Sequence, residues 1–263
     1  MLHFDRAPML ESVGQLGRHR AGSAIYLGKG WILTANHAFQ GRTSNVVLFG
    51  DEEYRLRPGG AVRILNRVSA GEPASKTDLV LVPLKESPNL PELEIASHSP
   101  FSGETVVMIG CGKSSAADTD ILVKTEPDGL MKTRAISGGG EEGEAAGPRW
   151  GENIVTDRGL FVGIADGESC TLSYATIRQP GSTEKNAQGA SGDSGGGVFV
   201  KRGEGWHLSG VMLSVVVREE LDASATFIAD LSTYREQIAA TIPEPSVGVL
   251  LVTAMFGLAR RRR

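Results

Sequence analysis

A serine within the glycine-rich segment GDSGG, residues 192–196, could act as a nucleophile. A serine hydroxyl is weakly nucleophilic, so it needs an imidazole to accept its proton and a carboxylate to orient that imidazole. His37, in the segment LTANHAF, and Asp78, in TDLVLVPL, could supply these two groups. Alone, such a histidine is more often structural and such an aspartate more often a turn or cap. Together with Ser194, they predict acyl transfer to a serine.

The elements that would position these residues are short strands separated by turns. Segment 24–35, AIYLGKGWILTA, predicts two strands around a Gly28-Lys29-Gly30 turn, and the apolar run DLVLVPL predicts another strand. The segment beginning GGGVFV predicts a hairpin that turns at residues 202–205. Apolar residues between Ile228 and Ile242 have the spacing of one amphipathic helix. We therefore predict an all-β chain of two packed β-barrels, followed by a helix.

Composition sets the size of the core and excludes some partners. The 263 residues are 40% hydrophobic, which suffices for one large domain or two small barrels. The net charge is −4, and no basic stripe precedes the last four residues, so we expect no nucleic-acid partner. No Cys/His cluster has zinc spacing, so we expect no metal. Cys111 and Cys170 could pair or remain thiols, and the sequence leaves both possibilities open.

The three segments LTANHAF, TDLVLVPL and GDSGGGVF resemble the signature segments of the trypsin/chymotrypsin-like serine peptidases, in the same order. The resemblance covers about residues 21–242. It implies two antiparallel six-stranded β-barrels, with the active site in the cleft between them. It also implies that His37 is the general base, Asp78 its orienting acid and Ser194 the nucleophile, with the amides of Gly192 and Ser194 as oxyanion hole. The implied function is a serine endopeptidase that cleaves proteins or peptides and needs no cofactor.

This organisation predicts four regions. Residues 1–20 would be an N-terminal lead segment, 21–95 the first barrel, 96–242 the second barrel with the helix, and 243–263 a sorting tail. Within the second region, the segment SGGGEEGEAAGP predicts a surface loop.

The resemblance also places the substrate-binding residues. By position, Gln188 falls at the base of the primary pocket, and since it is not an acid we expect no strong preference for Arg or Lys. The strand around Ser214, Val215 and Val216 would pair with the substrate backbone. If these valines line the pocket, they would favour small or medium apolar side chains. They could equally belong only to the core.

One departure from the family concerns activation. Many members use a freed N-terminus of the Ile-Val-Gly-Gly type, which pairs with the aspartate before the nucleophile. That aspartate is Asp193 here, and no such segment precedes the first barrel. Because a buried unpaired carboxylate is costly, we expect Asp193 to have another partner, unless the gene starts further upstream.

Two other functions fit parts of the pattern. Gly192 to Gly196 formally matches the G-x-S-x-G motif of α/β-hydrolases, but the order of the three residues is wrong and a hairpin follows where a helix is required. A non-catalytic binding module on the peptidase fold, or a zymogen-like inactive form, is the second alternative. Such modules usually lose a triad residue, whereas all three residues are present here.

The C-terminal segment has three parts: the triplet Pro243-Glu244-Pro245, the apolar block Val247 to Ala259, and the arginines Arg260 to Arg263. The block is shorter than the roughly 20 residues that span a bilayer. The order resembles the bacterial PEP-CTERM sorting signal, which exosortase processes, although a plain C-terminal membrane anchor is an alternative.

The sorting signal implies an exported protein of a Gram-negative bacterium, located in the cell envelope or outside the cell. Residues 246–259 would hold it in the membrane before processing. Such proteins normally also carry an N-terminal signal peptide, and MLHFDRAPMLESVGQLGRHR lacks its apolar stretch. We therefore expect in-frame sequence upstream of Met1 to encode one.

Overall fold

The computed structural model describes residues 7–18, 22–66, 75–112, 123–125, 131–133, 147–164, 169–179, 185–218 and 223–243. These residues form two sheets that pack against each other, and three helices; every strand pairing is antiparallel except that of β10 (Met131–Thr133) with β11 (Arg149–Ile164). The N-terminal residues 1–6, most of the segment SGGGEEGEAAGP and residues 244–263 of the tail lie outside the described residues.

The first sheet has seven strands in the order β5-β4-β1-β2-β3-β7-β6, and all its pairings are antiparallel. The strands are β1 (Val13–Leu16), β2 (Gly22–Gly28), β3 (Trp31–Ala35), β4 (Val46–Phe49), β5 (Glu52–Arg55), β6 (Val62–Leu65) and β7 (Lys76–Pro83). Two short helices accompany them, α1 (Ala7–Glu11) before β1 and α2 (Asn36–Gln40) after β3.

The family resemblance implies a six-stranded barrel in this half, and the structure has a seven-stranded sheet there. The additional strand β1 lies within the predicted lead segment, where it pairs with both β2 and β4. Its sequence VGQL is short and contains a glycine and a glutamine, so it shows no clear strand pattern. The hairpin around Gly28-Lys29-Gly30 is confirmed, and all three of its residues have positive φ.

The second sheet contains a closed six-stranded barrel. The order is β12-β15-β14-β13-β8-β11, and pairing of β11 with β12 closes it. The barrel strands are β8 (Thr105–Gly110), β11 (Arg149–Ile164), β12 (Cys170–Arg178), β13 (Gly197–Arg202), β14 (Gly205–Arg218) and β15 (Ala223–Asp230). Two further strands, β9 (Val123–Thr125) and β10 (Met131–Thr133), extend the sheet beside β11. The predicted hairpin turn at residues 202–205 is confirmed by the pairing of Arg202 with Gly205.

The C-terminal helix α3 (Leu231–Thr241) is shorter than the sequence predicts. Ile228 belongs to β15, where it pairs with Met212 and Tyr174, and the helix starts only after Asp230. The Asp230 carboxylate accepts the Ser232 N–H and so caps the first turn. Leu231, Tyr234 and Ile238 form the buried face. Among the described residues, no helix is long and apolar enough to cross a membrane.

One apolar core joins the two sheets. It includes Leu33 and Leu81 from the first sheet and Phe199 and Leu213 from the second. A smaller cluster around Tyr174 fills the barrel. The continuous core holds the facing edges of the sheets together, and the segments of His37, Asp78 and Ser194 meet there. Cys111 is buried and Cys170 partly exposed, and they are not joined by a disulfide.

Candidate active site

His37 and Asp78 face each other across two paired strands. Strand β3 ends at Ala35, which pairs with Leu79 of β7, so the start of helix α2 lies beside Asp78. His37 Nδ1 lies 2.6 Å from Asp78 Oδ2, and the His37 backbone N–H donates to Oδ1 at 2.9 Å. The Asp78 side chain is 0% exposed and that of His37 22%. With its proton on Nδ1 the imidazole would donate to Asp78, and Nε2 would be left to accept a proton.

The backbone of Asp78 is held from the second barrel. Its N–H donates to Thr171 Oγ1 of β12 at 2.8 Å, and both residues are fully buried. Thr171 therefore fixes the position of the acid relative to the barrel that carries Ser194. The sequence contains no signal that marks Thr171, because the contact joins residues 93 positions apart.

Ser194 lies in a tight turn that leads into β13. Its carbonyl accepts the Ser23 N–H at 2.8 Å, which ties the turn to β2. Gly22 lies between the two halves of the site, since an ideal Cβ there would be 2.6 Å from Ala38 Cβ and 2.8 Å from Ser194 O. Ala38, the residue after His37, and Ser194 therefore both lie close to Gly22. The Ser194 hydroxyl itself donates to Leu213 O at 3.2 Å.

The turn leaves two neighbouring amides available. The N–H groups of Asp193, Gly195 and Gly196 donate to Ala190 O, Met212 O and Asp193 O respectively. Within the part of the chain that the structure describes, the N–H groups of Gly192 and Ser194 donate to no acceptor. Gly192 and Gly195 have φ of 89° and 90°, a left-handed conformation that glycine adopts without strain. An oxyanion hole beside a serine requires two such N–H groups that donate to no other acceptor.

Asp193 has the partner that the sequence analysis expects. Its Oδ1 accepts the Gly112 N–H at 2.7 Å and its Oδ2 accepts the Ala190 N–H at 2.8 Å. Burial raises the pKa of the Asp193 carboxyl, although both amides and the nearby Arg149 oppose this. At Gly110 and Gly112 a Cβ would collide with Oδ1, so glycines make room for the carboxylate. The prediction that Asp193 finds another partner is confirmed, and the partners are backbone amides.

The sequence comparison identifies the family. A model of the trypsin-like peptidase domain matches residues 22–206, more than half of the chain. The chain belongs to the trypsin-like peptidase domain family. It is a serine-type peptidase by this membership. No protein with a curated function matches the sequence.

Solved structures share the fold of this peptidase domain. Mouse neuropsin, a serine protease expressed in the limbic system of the brain, is 17% identical, with 90% of this chain and 96% of neuropsin covered and a TM-score of 0.57. The Rv3671c protein of Mycobacterium tuberculosis, an inactive form with a serine-to-alanine mutation, is 16% identical, with 91% and 92% covered and a TM-score of 0.54. The active form of the Rv3671c protease is 14% identical, with 89% and 82% covered and a TM-score of 0.51. These likenesses confirm the mostly β, trypsin-like fold.

The predicted substrate-binding residues of the peptidase domain lie on two sides of the turn. Gln188 is exposed and accepts a hydrogen bond from the Ser224 hydroxyl. It lines a cavity of about 310 Å³ beneath the turn, together with Met108, Arg149, Asp193 and Met212. Strand β14 continues past a bulge at Leu213 into Ser214, Val215 and Val216, which pair with β15.

Val215 fills the space beside Gly189. An ideal Cβ on Gly189 would be 2.8 Å from Val215 Cγ2 and 3.2 Å from Thr226 Cγ2. Thr226 Oγ1 also accepts the Gly189 N–H at 2.9 Å. The sequence analysis does not identify Thr226 as a substrate-binding residue, because its strand has no distinctive motif. Among the described residues of the peptidase domain, no group of three or more His, Cys, Asp or Glu could hold a metal ion.

Proposed function

We propose that this serine peptidase is an exported endopeptidase that cleaves peptide bonds through an acyl-enzyme on Ser194. The observation that carries the proposal is the pairing of the buried Asp78 with the half-buried His37, at 2.6 Å, beside a turn in which two described amides donate to no acceptor. His37 Nε2 would accept the Ser194 proton while Oγ attacks the peptide carbonyl. The Gly192 and Ser194 amides would stabilise the oxyanion.

The same groups would complete the reaction. The protonated His37 gives its proton to the leaving amine, and Asp78 stays ionised and stabilises the imidazolium. Water, activated by His37, then attacks the ester carbon and releases Ser194 with the second product. The Ser194 hydroxyl, which donates to Leu213 O in this structure, has to rotate toward His37 first. Hydrogen bonds in free enzymes often reach catalytic geometry only with substrate bound.

The contacts around Gly189 support a preference for small apolar side chains at the residue before the cleaved bond. Val215 and Thr226 occupy the space that a long side chain would need. Gln188 brings no negative charge to attract Arg or Lys. Leu213 O, Ser214 and Val216 would meet the substrate backbone along the free side of β14.

The proposed function is tested by labelling the full chain with a fluorophosphonate probe, beside Ser194→Ala and His37→Ala variants. The parent should be labelled and should hydrolyse a peptide ester or amide with alanine before the cleaved bond. Neither variant should be labelled at a comparable rate. A folded parent that is not labelled would contradict the proposal.

The second candidate is a binding module that keeps a silent triad, or a zymogen-like form. The bond from Ser194 Oγ to Leu213 O, rather than to His37, favours it. Such a protein would bind a peptide without labelling or turnover, so the same experiment distinguishes the two candidates.

The export part of the proposal depends on the C-terminal segment. The order Pro243-Glu244-Pro245, apolar block, arginines supports a PEP-CTERM signal cut by exosortase, with residues 246–259 in the membrane before the cut. The mature enzyme would lie in the envelope of a Gram-negative bacterium or outside the cell. Expression with and without exosortase, followed by fractionation and mass measurement of the chain, tests this. An uncut chain in the cytoplasm of the exosortase-bearing cells would contradict it.

A further inference from the structure

Ser23 contacts the nucleophile turn with more than its backbone. It lies in β2 of the first sheet and is 0% exposed. Its N–H donates to Ser194 O at 2.8 Å, and its hydroxyl donates to Gly192 O at 2.9 Å. The same hydroxyl accepts the N–H of Cys111, just after β8, at 2.8 Å. One buried side chain thus joins the first sheet, the end of β8 and the turn.

These bonds limit how the turn can rotate. The Gly192 carbonyl belongs to the peptide whose N–H, on Asp193, donates to Ala190 O at 3.0 Å. With both of its ends bonded, this peptide plane has one orientation. The following carbonyl, that of Asp193, accepts the Gly196 N–H, and the carbonyl of Ser194 is held by the Ser23 N–H. The amides of Gly192 and Ser194 flank the fixed peptide, so their directions depend on it.

Ser23 is itself held in place. Thr34 Oγ1 donates to Ser23 O at 2.6 Å, and Ser23 pairs with Gln15 of β1. The hydroxyl thus projects from a strand bonded on both sides, which suits a residue that orients another group. Gly192, with φ of 89°, has little conformational preference of its own, so its orientation needs such an external contact.

We propose that Ser23 is a positioning residue, whose hydroxyl holds the Gly192 carbonyl so that the Gly192 and Ser194 amides point at the oxyanion. The role rests on the proposed function, because it matters only if Ser194 is acylated. Ser23 acts through the turn and does not touch substrate.

The test compares Ser23→Ala with Ser209→Ala in the full chain. Ser209 is an equally buried strand serine, 1% exposed, and its hydroxyl donates to Val198 O at 3.0 Å and bonds Tyr174 OH. Both variants lose a buried hydroxyl with two bonds, so their thermal stabilities should fall similarly. The measurements are kcat and KM on a peptide substrate, the fluorophosphonate labelling rate and the affinity for a matching peptide aldehyde, whose adduct carries an oxyanion.

Ser23→Ala should lower kcat and the labelling rate by about ten- to a hundredfold, less than the loss of one oxyanion donor outright. KM should change little, and aldehyde affinity should fall in parallel with kcat. The acid limb of the pH–rate profile should not move, because the Ser23 hydroxyl bonds neither His37 nor Asp78. Ser209→Ala should keep the parental kcat.

Equal kcat in the two alanine variants, or a loss confined to KM, would overturn the role of Ser23. If Ser23→Ala does not fold, Ser23→Thr and Ser23→Val replace it, since threonine and valine have nearly the same shape and only threonine keeps the hydroxyl. A kcat at least tenfold higher for the threonine variant supports the role, and equal kcat overturns it. If the unmutated protein shows neither labelling nor turnover, the proposed function is overturned as well. If the unmutated protein is active and its Ser194→Ala variant is inactive, the proposed function holds, whatever the effect of the Ser23 variants.

Discussion

Gly112→Ala should disable the active site without changing any side chain proposed to take part in the chemistry. An ideal Cβ on Gly112 would be 2.6 Å from Asp193 Oδ1 and from Ser191 O, and 2.7 Å from Asp193 N. Ordinary contact for a Cβ begins at 3.4 Å, so the turn would have to move by roughly 0.8 Å. Because these atoms belong to the segment that carries Ser194, the movement would displace the oxyanion amides.

A displacement near 1 Å in such a site costs about a hundredfold in rate. Overpacking should also cost about 1–3 kcal/mol in the free energy of unfolding. At roughly 2–4 °C per kcal/mol for a domain of this size, Tm should fall by between about 2 and 12 °C. The assays are the fluorophosphonate labelling rate and thermal unfolding followed by circular dichroism.

The matched control is Gly147→Ala. Among the described residues, nothing lies within 4 Å of an ideal Cβ on Gly147, so this variant should keep the parental rate and Tm. If Gly112→Ala labelled at the parental rate with the Tm of the control, the turn would be able to accommodate the methyl group. The argument that Gly112 exists to make room for the Asp193 carboxylate would then be wrong.

Three further predictions concern the acid, the pocket and the buried carboxylate. Asp78→Asn should lower kcat by about four orders of magnitude, since an amide cannot stabilise the imidazolium. The control Asp51→Asn, at an exposed position, should keep the parental kcat, and equal kcat in the two variants would argue against a role for Asp78. Val215→Gly should open the space beside Gly189. For substrates with phenylalanine rather than alanine before the cleaved bond, the ratio of the two kcat/KM values should rise by about tenfold, and an unchanged ratio would place Val215 outside the pocket. Burial raises the pKa of Asp193 in the folded chain, so the folded state binds this proton more tightly than the unfolded state. The stability that Asp193 contributes is therefore complete at acid pH and is lost as pH rises through the folded-state pKa, so the parent should lose stability relative to Asp193→Asn in urea unfolding above about pH 4. Parallel stability curves for the two proteins would contradict the raised pKa.

The chemistry of the site could be predicted from the sequence because each of its three residues lies in a short segment with a local pattern. His37 follows an apolar strand, Asp78 begins one, and Ser194 lies among glycines that the turn requires. The Gly28-Lys29-Gly30 hairpin was readable for the same reason, because positive φ at consecutive positions favours glycine.

The start of the C-terminal helix was predicted wrongly because one pattern fits two structures. Apolar residues from Ile228 onward suit both a strand and a helix. The pairing of Ile228 in the barrel and the cap at Asp230 decide that the helix begins at Leu231. Strand β1 was missed because four residues with a glycine carry too little pattern, and only its pairing with β2 and β4 makes it a strand.

The sequence by itself determined the family resemblance, the strand-rich architecture and the identity of the candidate triad, since these depend on residue types within short segments. Only the tertiary structure decided what holds that triad and its turn. Ser23 contacts Gly192 across 169 positions, and Thr171 contacts Asp78 across 93. Asp193 is held by the amides of Gly112 and Ala190, and every residue except proline has such an amide. These contacts depend on strand register and on how the two sheets pack, and no local pattern of residue types encodes them.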